Sequence, residues 1–395
     1  MPINSTRPAQ HDWAPIICLY LAGVLAAAQL GKMSALAPII SKELALGLTV
    51  TGLLISLLEI GGAVLGFVAA AVVDRIGQSK VLMVGVGLLV LAGLGQAASG
   101  GAPSLLAWRL CEGIGYLGIV IAAPILIARS APPAQRSTAM ALWGGFVPLG
   151  FALGSVTSGY MGGWFGWRAA PLLWAGAALG VLVLLRSLDL PNHGVSGSVQ
   201  KSALTKPNAK VWALTLAFGC YAMFAVGTIA LLPLYLVNQV GLSSQLAGLI
   251  TGAASLATLF GVAGAAWWQR PGRQHKARKQ GLLIALAIAL PALLLFGVFT
   301  EVPNLWRAAV LAVLLNAISG LYAGLAFALL PQVAPTESEL STANGLLLQC
   351  GASGSLLGPV LFAASAIHWG WMGAALTGLV ASALCLVLMQ TIKSR

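Results

Sequence analysis

Apolar residues run through this chain in long unbroken stretches separated by short polar punctuation. Each stretch holds about 20 residues or more, the length an α-helix needs to cross the hydrocarbon of a bilayer. Gly, Pro and charge divide the pattern into twelve candidate spans. The first six cover 13–40, 49–73, 81–99, 103–129, 137–162 and 168–188. The second six cover 210–238, 243–268, 280–300, 304–333, 340–366 and 370–392. The runs are continuous rather than alternating, which excludes a transmembrane β-barrel. The first run has the apolar core and small residues of a signal peptide. It continues to Ile40 behind a weakly basic flank, so it is read as the first span.

Connections are short except for two. Residues 189–209, polar and rich in Ser, Gly and Lys, read as a linker between halves at 1–188 and 210–395. The stretch "QRPGRQHKARKQ" (269–280) is a basic loop. Composition strengthens the membrane reading. Hydrophobic residues make up 59% of the chain and charged residues 8%, where a soluble domain carries roughly 25% charge. The net charge of +12 does not require nucleic acid, because the basic residues gather on one side of the spans. Sixteen of the 21 Lys and Arg fall on the side of both termini. Only Lys42, Arg168 and Arg307 fall on the other, and Lys32 and Arg109 lie within spans. By the positive-inside rule both termini are expected in the cytoplasm. The five cysteines sit in apolar runs without CxxC spacing and read as small packing residues. No metal cluster, phosphate loop or catalytic dyad is legible, so neither enzyme activity nor a cofactor is expected.

The chain also repeats itself. "STAM" at Ser137 returns as "STAN" at Ser341, 204 positions on. The same offset pairs Gly150 with Gly354, Gly154 with Gly358, and "WFGW" (164–167) with "HWGW" (368–371). Earlier, "ALAP" (35–38) matches "ALLP" (230–233) at an offset near 195. Two six-span halves in the same orientation form a parallel repeat, the plan of one large transporter fold.

Two motifs then carry a family resemblance. "AAVVDRIGQSK" (70–80) follows span 2 and resembles the major facilitator superfamily signature at Asp74, Arg75 and Gly77. Ala70, Val72 and Gln78–Ser79 depart from that signature. "RLCEGIG" (109–115) resembles the fourth-span motif of the same superfamily at Arg109, Gly113 and Gly115. The resemblance implies twelve helices in two parallel repeats, transport of a small molecule by alternating access, and residence in the cell inner membrane. It also implies that Asp74, Arg75 and Gly77 form a cytoplasmic latch. The equivalent loop in the second half has lost the Asp and reads as a topology anchor. Overall texture resembles the cyanate permease and nitroimidazole transporter branch, in which first-half basic residues would hold a small anion. A monomer in the lipid bilayer is expected. A proton-driven exporter of drugs or metabolites is the alternative, and a non-transporting receptor a minor one.

Charges inside spans are the candidate chemistry, because they face a bundle interior or a wet cavity. Arg109, Glu112 and Tyr116 share one helix face, and Lys32 and Glu59 lie at the same depth on spans 1 and 2. The four charges are expected to form one near-neutral cluster serving substrate and proton. A carboxyl withdrawn from water holds a proton more readily, which makes Glu59 or Glu112 the carrier. A tight Arg109–Glu112 pair would keep Glu112 ionised and leave Glu59. Spans 7 to 12 contain no comparable charge. Their polar candidates for substrate contact are Tyr221, Thr228, Asn316, Tyr322, Asn344 and Gln349, each equally able to serve as interhelical glue. Gly150, Gly154, Gly354 and Gly358 are expected to pack helices closely where one half rocks on the other. The fifth span resembles the antiporter motif of the superfamily only in part, since the Gly-Pro pair stands at Gly358–Pro359 instead.

Overall fold

The computed structural model describes residues 13–132, 135–188, 206–270, 277–300 and 302–393. Within them eleven helices are long and apolar enough to cross a membrane. The last of these, Thr342–Ile392, is bent at Trp369 and Gly370, where the backbone leaves helical geometry. It therefore supplies two spans, which makes twelve. Span 1 is Ala14–Glu43, span 3 Gln78–Ala97, span 4 Ala102–Ser130 and span 6 Ala169–Arg186. Span 7 is Ala209–Asn238, span 8 Ser244–Trp268, span 9 Ala277–Val298 and span 10 Leu305–Val333. Spans 11 and 12 are 337–368 and 371–393.

Spans 2 and 5 are broken, which the periodicity did not announce. Span 2 is Leu48–Ser56, a 3₁₀ turn at Leu57–Glu59, and Ile60–Ile76. Span 5 is Arg136–Trp143 and Phe146–Phe165, divided at Gly144–Gly145. Two adjacent glycines are poor helix formers, and here the Gly145 N–H turns back to the Leu142 carbonyl at 3.0 Å. The rings of Trp143 and Phe146 stack across this break with centroids 4.2 Å apart. Trp143 occupies the space that a Cβ on Gly23 would need.

Helix ends follow local chemistry. Asn208, Ser243 and Asn304 each cap a second-half helix by accepting a backbone N–H through the side-chain oxygen. Thr336 and Glu339 form a reciprocal capping box at the start of span 11. Gly166 and Gly370, the matched glycines of "WFGW" and "HWGW", both adopt positive φ, 79° and 64°. The repeated tetrapeptide thus marks one turn used twice, between spans 5 and 6 and between spans 11 and 12.

Packing repeats in the same way. A Cβ on Gly150 or Gly154 would overlap the carbonyls of Val24 and Ala28 on span 1. A Cβ on Gly354 or Gly358 would overlap the carbonyls of Gly219 and Met223 on span 7. These glycines therefore pack helices inside each half. The expectation that they form the interface between halves is corrected. Spans 1 and 7 are the inner partners of spans 5 and 11, so the close approach is spent there. The halves meet elsewhere. Span 5 approaches span 8 through Gly159 and Gly248, and span 2 approaches span 11 where Gly52 lies on the Pro359 carbonyl. Ser34 on span 1 donates to the Ala230 carbonyl on span 7 at 2.7 Å. On the face away from the termini, Arg168 pairs with Glu43, donates to the Ser99 carbonyl at 3.1 Å and lies over Trp167. It ties together the ends of spans 1, 3 and 6.

Residues 189–205 of the expected linker and 271–276 of the basic loop lie outside the described residues.

Candidate functional site

The buried charges sit where span 4 crosses spans 1, 2 and 3. Glycines bring the helices together: Gly113 faces the Leu58 carbonyl of span 2, and Gly115 faces the Gly85 carbonyl of span 3. Lys32, Gln96, Arg109 and Glu112 are all fully buried. Lys32 Nζ lies 2.6 Å from Glu112 Oε1 and donates to Gln96 Oε1 at 2.8 Å. Gln96 Nε2 donates to Glu112 Oε2 at 2.7 Å. Arg109 Nη1 pairs with the same oxygen from one helical turn away. Burying charge is costly unless it is paired and hydrogen-bonded, and here two hydrogen-bonded cations share one carboxylate.

Arg109 has a second task. Its Nε donates to the Leu54 carbonyl at 2.9 Å and its Nη2 to the Ile55 carbonyl at 2.7 Å. The switch from α to 3₁₀ geometry at Leu57–Glu59 disturbs the ladder that would use those carbonyls, and the guanidinium satisfies them. A further bond from Nη1 reaches the Gln29 carbonyl at 3.4 Å. A planar five-donor group is suited to several fixed acceptors at once.

Glu59 ends that 3₁₀ turn and is 8% exposed. Its polar surroundings are the Tyr116 phenol and, further off, Arg109. The structure therefore divides the expected four-charge cluster. Lys32, Arg109 and Glu112 form a closed network with Gln96, and Glu59 stands outside it with Tyr116. The expectation that first-half basic residues hold an anion directly also changes. In this conformation Lys32 directs two of its three donors and Arg109 four of its five to protein acceptors.

The second-half candidates are not gathered at one point. Thr228 donates to its own helix at Phe224, and Asn316 to its own helix at Ala312, both at 2.8 Å. The rings of Tyr221 and Tyr322 lie 5.0 Å apart, with Ser319 beside the first and Cys385 beside the second. Gln349 accepts the Phe67 N–H at 3.2 Å across the junction of spans 2 and 11. Asn344 is exposed. In the latch motif, Gly77 takes φ 101° and turns the chain between spans 2 and 3, and Arg75 is exposed. The side chain of Asp74 lies outside the described residues. Arg129 donates to Gln78 Oε1 at 3.0 Å, tying span 4 to that turn.

Gln96 was missed by a search for charge. Its signal in the sequence was a lone amide near the end of an apolar span, at the depth of Lys32 and Glu112.

A family model described as Major Facilitator Superfamily matches residues 19–277 and 214–393. The chain is 28% identical to a hexuronate transporter of Bacillus subtilis over 61% of its own length and 60% of that protein. It is 29% identical to a 3-(3-hydroxy-phenyl)propionate transporter of Escherichia coli over 85% of its length and 82% of that protein. Its fold superposes with a TM-score of 0.80 on a bacterial homolog of the lysosomal transporter Spinster in an inward-facing, unoccupied conformation. The identity is 16%, and 98% of each chain is covered. The relatives are transporters, not enzymes.

Proposed function

We propose a substrate class and a coupling group from one established premise, that this chain belongs to the major facilitator superfamily. The protein is a secondary transporter that moves a small organic anion together with a proton, and Glu59 carries the proton. One observation bears most of this reading: both oxygens of Glu112 receive donors from Lys32, Arg109 and Gln96, while Glu59 stands outside that network.

Charge accounting supplies the coupling. Lys32, Arg109 and Glu112 together leave one net positive charge buried in the first half. Ionised Glu59 neutralises it, and protonated Glu59 does not. In a medium of low dielectric that difference is felt over several ångströms. An anion approaching the cluster is attracted when Glu59 holds a proton and released when the proton leaves. The substrate meets the field of the cluster rather than a free guanidinium. The two curated relatives named above handle carboxylates by name, which agrees with an anion. The earlier expectation of a cyanate permease branch survives only as that shared chemistry.

The remaining features follow the same reading. The halves are 1–188 and 210–395 joined by 189–209, both termini lie in the cytoplasm of a bacterial cell, and the protein works as a monomer in the inner membrane. Asp74, Arg75 and Gly77 act as the cytoplasmic latch.

Reconstituted protein, an inward proton gradient, and labelled glucuronate and 3-(3-hydroxyphenyl)propionate provide the test. Glu59→Gln is expected to abolish gradient-driven accumulation and to retain exchange of substrate for substrate. Glu112→Gln is expected to impair both. Gradient-driven accumulation at the wild-type level in Glu59→Gln would sink the assignment.

A further inference from the structure

A neutral amide among buried charges asks for a reason. Gln96 comes from span 3, which stands behind the charged cluster, and it is fully buried. Its oxygen accepts from Lys32 and its nitrogen donates to Glu112, and the Lys32–Glu112 pair closes a ring of three groups. The two ends of an amide differ: the oxygen accepts and the nitrogen donates. The orientation is therefore dictated. Reversal would set N–H groups against an ammonium and lone pairs against a carboxylate.

The ring also decides where a further proton can go. A carboxylate offers about four lone-pair sites. Both sites on Glu112 Oε2 are taken, by Arg109 Nη1 and Gln96 Nε2. On Oε1 one site is taken by Lys32, whose positive charge opposes a proton on that oxygen. The groups facing Glu112 are Lys32 from span 1, Gln96 from span 3, and Arg109 and Cys111 from its own span. Glu59 of span 2 is related to it only through Arg109. Of the groups hydrogen-bonded to Glu112, Lys32 and Arg109 are donors alone, and the one acceptor, the Gln96 oxygen, already receives Lys32.

We propose that Gln96 is a positioning residue that closes the Lys32–Glu112–Arg109 cluster to a further proton and so leaves proton uptake to Glu59. The inference rests on the reading of Glu59 as the proton carrier and adds a residue from span 3. Gln96 touches neither proton nor substrate. It acts by holding Lys32 in place through its oxygen and by occupying a lone pair of Glu112 through its nitrogen.

Infrared difference spectra across pH, recorded on the purified full chain in liposomes, separate a buried carboxylic acid from a carboxylate and need no substrate. Wild type is expected to give a buried carboxylic acid signal that is lost in Glu59→Gln. In the Glu59→Gln background, Gln96→Met is expected to return a signal by freeing a lone pair on Glu112, and adding Glu112→Gln removes it again. Gln96→Leu in that background, checked again by adding Glu112→Gln, returns a signal in the same way, so a fold lost in one variant leaves the other to decide. Silence in both Gln96 variants overturns the proposal. So does a signal in Glu59→Gln alone that depends on Glu112. Absence of the Glu59 signal in wild type instead defeats the proton-carrier reading, and the Gln96 arms still report on the cluster.

Discussion

Arg109 joins two structural problems in one side chain. It neutralises Glu112 and it satisfies the carbonyls of Leu54 and Ile55 beside a break in span 2. Lysine in its place keeps the charge but lacks the planar fork, so Arg109→Lys is expected to lose the carbonyl bonds and with them transport. Lys32 is simpler. Removing one partner of a buried, hydrogen-bonded pair costs about 3–5 kcal/mol because the other charge is stranded. Glu112→Gln strands both Lys32 and Arg109 and is therefore expected to lower the thermal unfolding temperature in detergent, and Lys32→Met with Glu112→Gln to recover part of the loss. A double variant no more stable than the single one would argue against the pair as described. At this scale the sequence was informative about which residues are charged and at what depth. It could not say that Glu59 stands apart. That separation depends on the 3₁₀ turn, which rotates Glu59 relative to an uninterrupted helix, and no period in the apolar pattern records the turn.

At the scale of elements, the contacts between spans are made largely by glycine against backbone. Gly154 lies on the Ala28 carbonyl and Gly358 on the Met223 carbonyl, with no room for a methyl group. Overpacking of this kind costs about 1–3 kcal/mol. Gly154→Ala and Gly358→Ala are each expected to reduce the yield and thermal stability of folded protein. Gly87→Ala and Gly180→Ala, where nothing lies within 4 Å of the added carbon, are expected to leave both unchanged. The spacing of these glycines was visible in the sequence, and so was the offset that matches them. Their partners were not, because one Gly-x-x-x-Gly surface fits many helices equally well.

For the molecule as a whole, the halves touch at spans 1 and 7, where Ser34 donates to Ala230, and at spans 5 and 8, where Gly159 meets Gly248. Alternating access requires these contacts to part. A crosslink between Ser34→Cys and Ala230→Cys is expected to arrest transport until a reductant is added. Undiminished uptake by the crosslinked protein would show that spans 1 and 7 need not separate there. The twelve-span plan and its doubling were legible from hydropathy and repeats alone, since the bilayer imposes length and polarity on every span. The way the halves touch was not, because it rests on shape rather than composition.

One consequence of the paired glycine approaches concerns how such a protein can change. Spans 5 and 11 recognise their partners through main-chain oxygens, which every residue type possesses. The neighbouring side chains on spans 1 and 7 are therefore free to differ. Span 1 carries Lys32 close to this seam, and span 7 has Gly227 at the matching offset. A frame that is symmetric in its backbone can thus hold its charge in one half alone, and new cargo can be accommodated by exchanging side chains while the two rocking bodies keep their form.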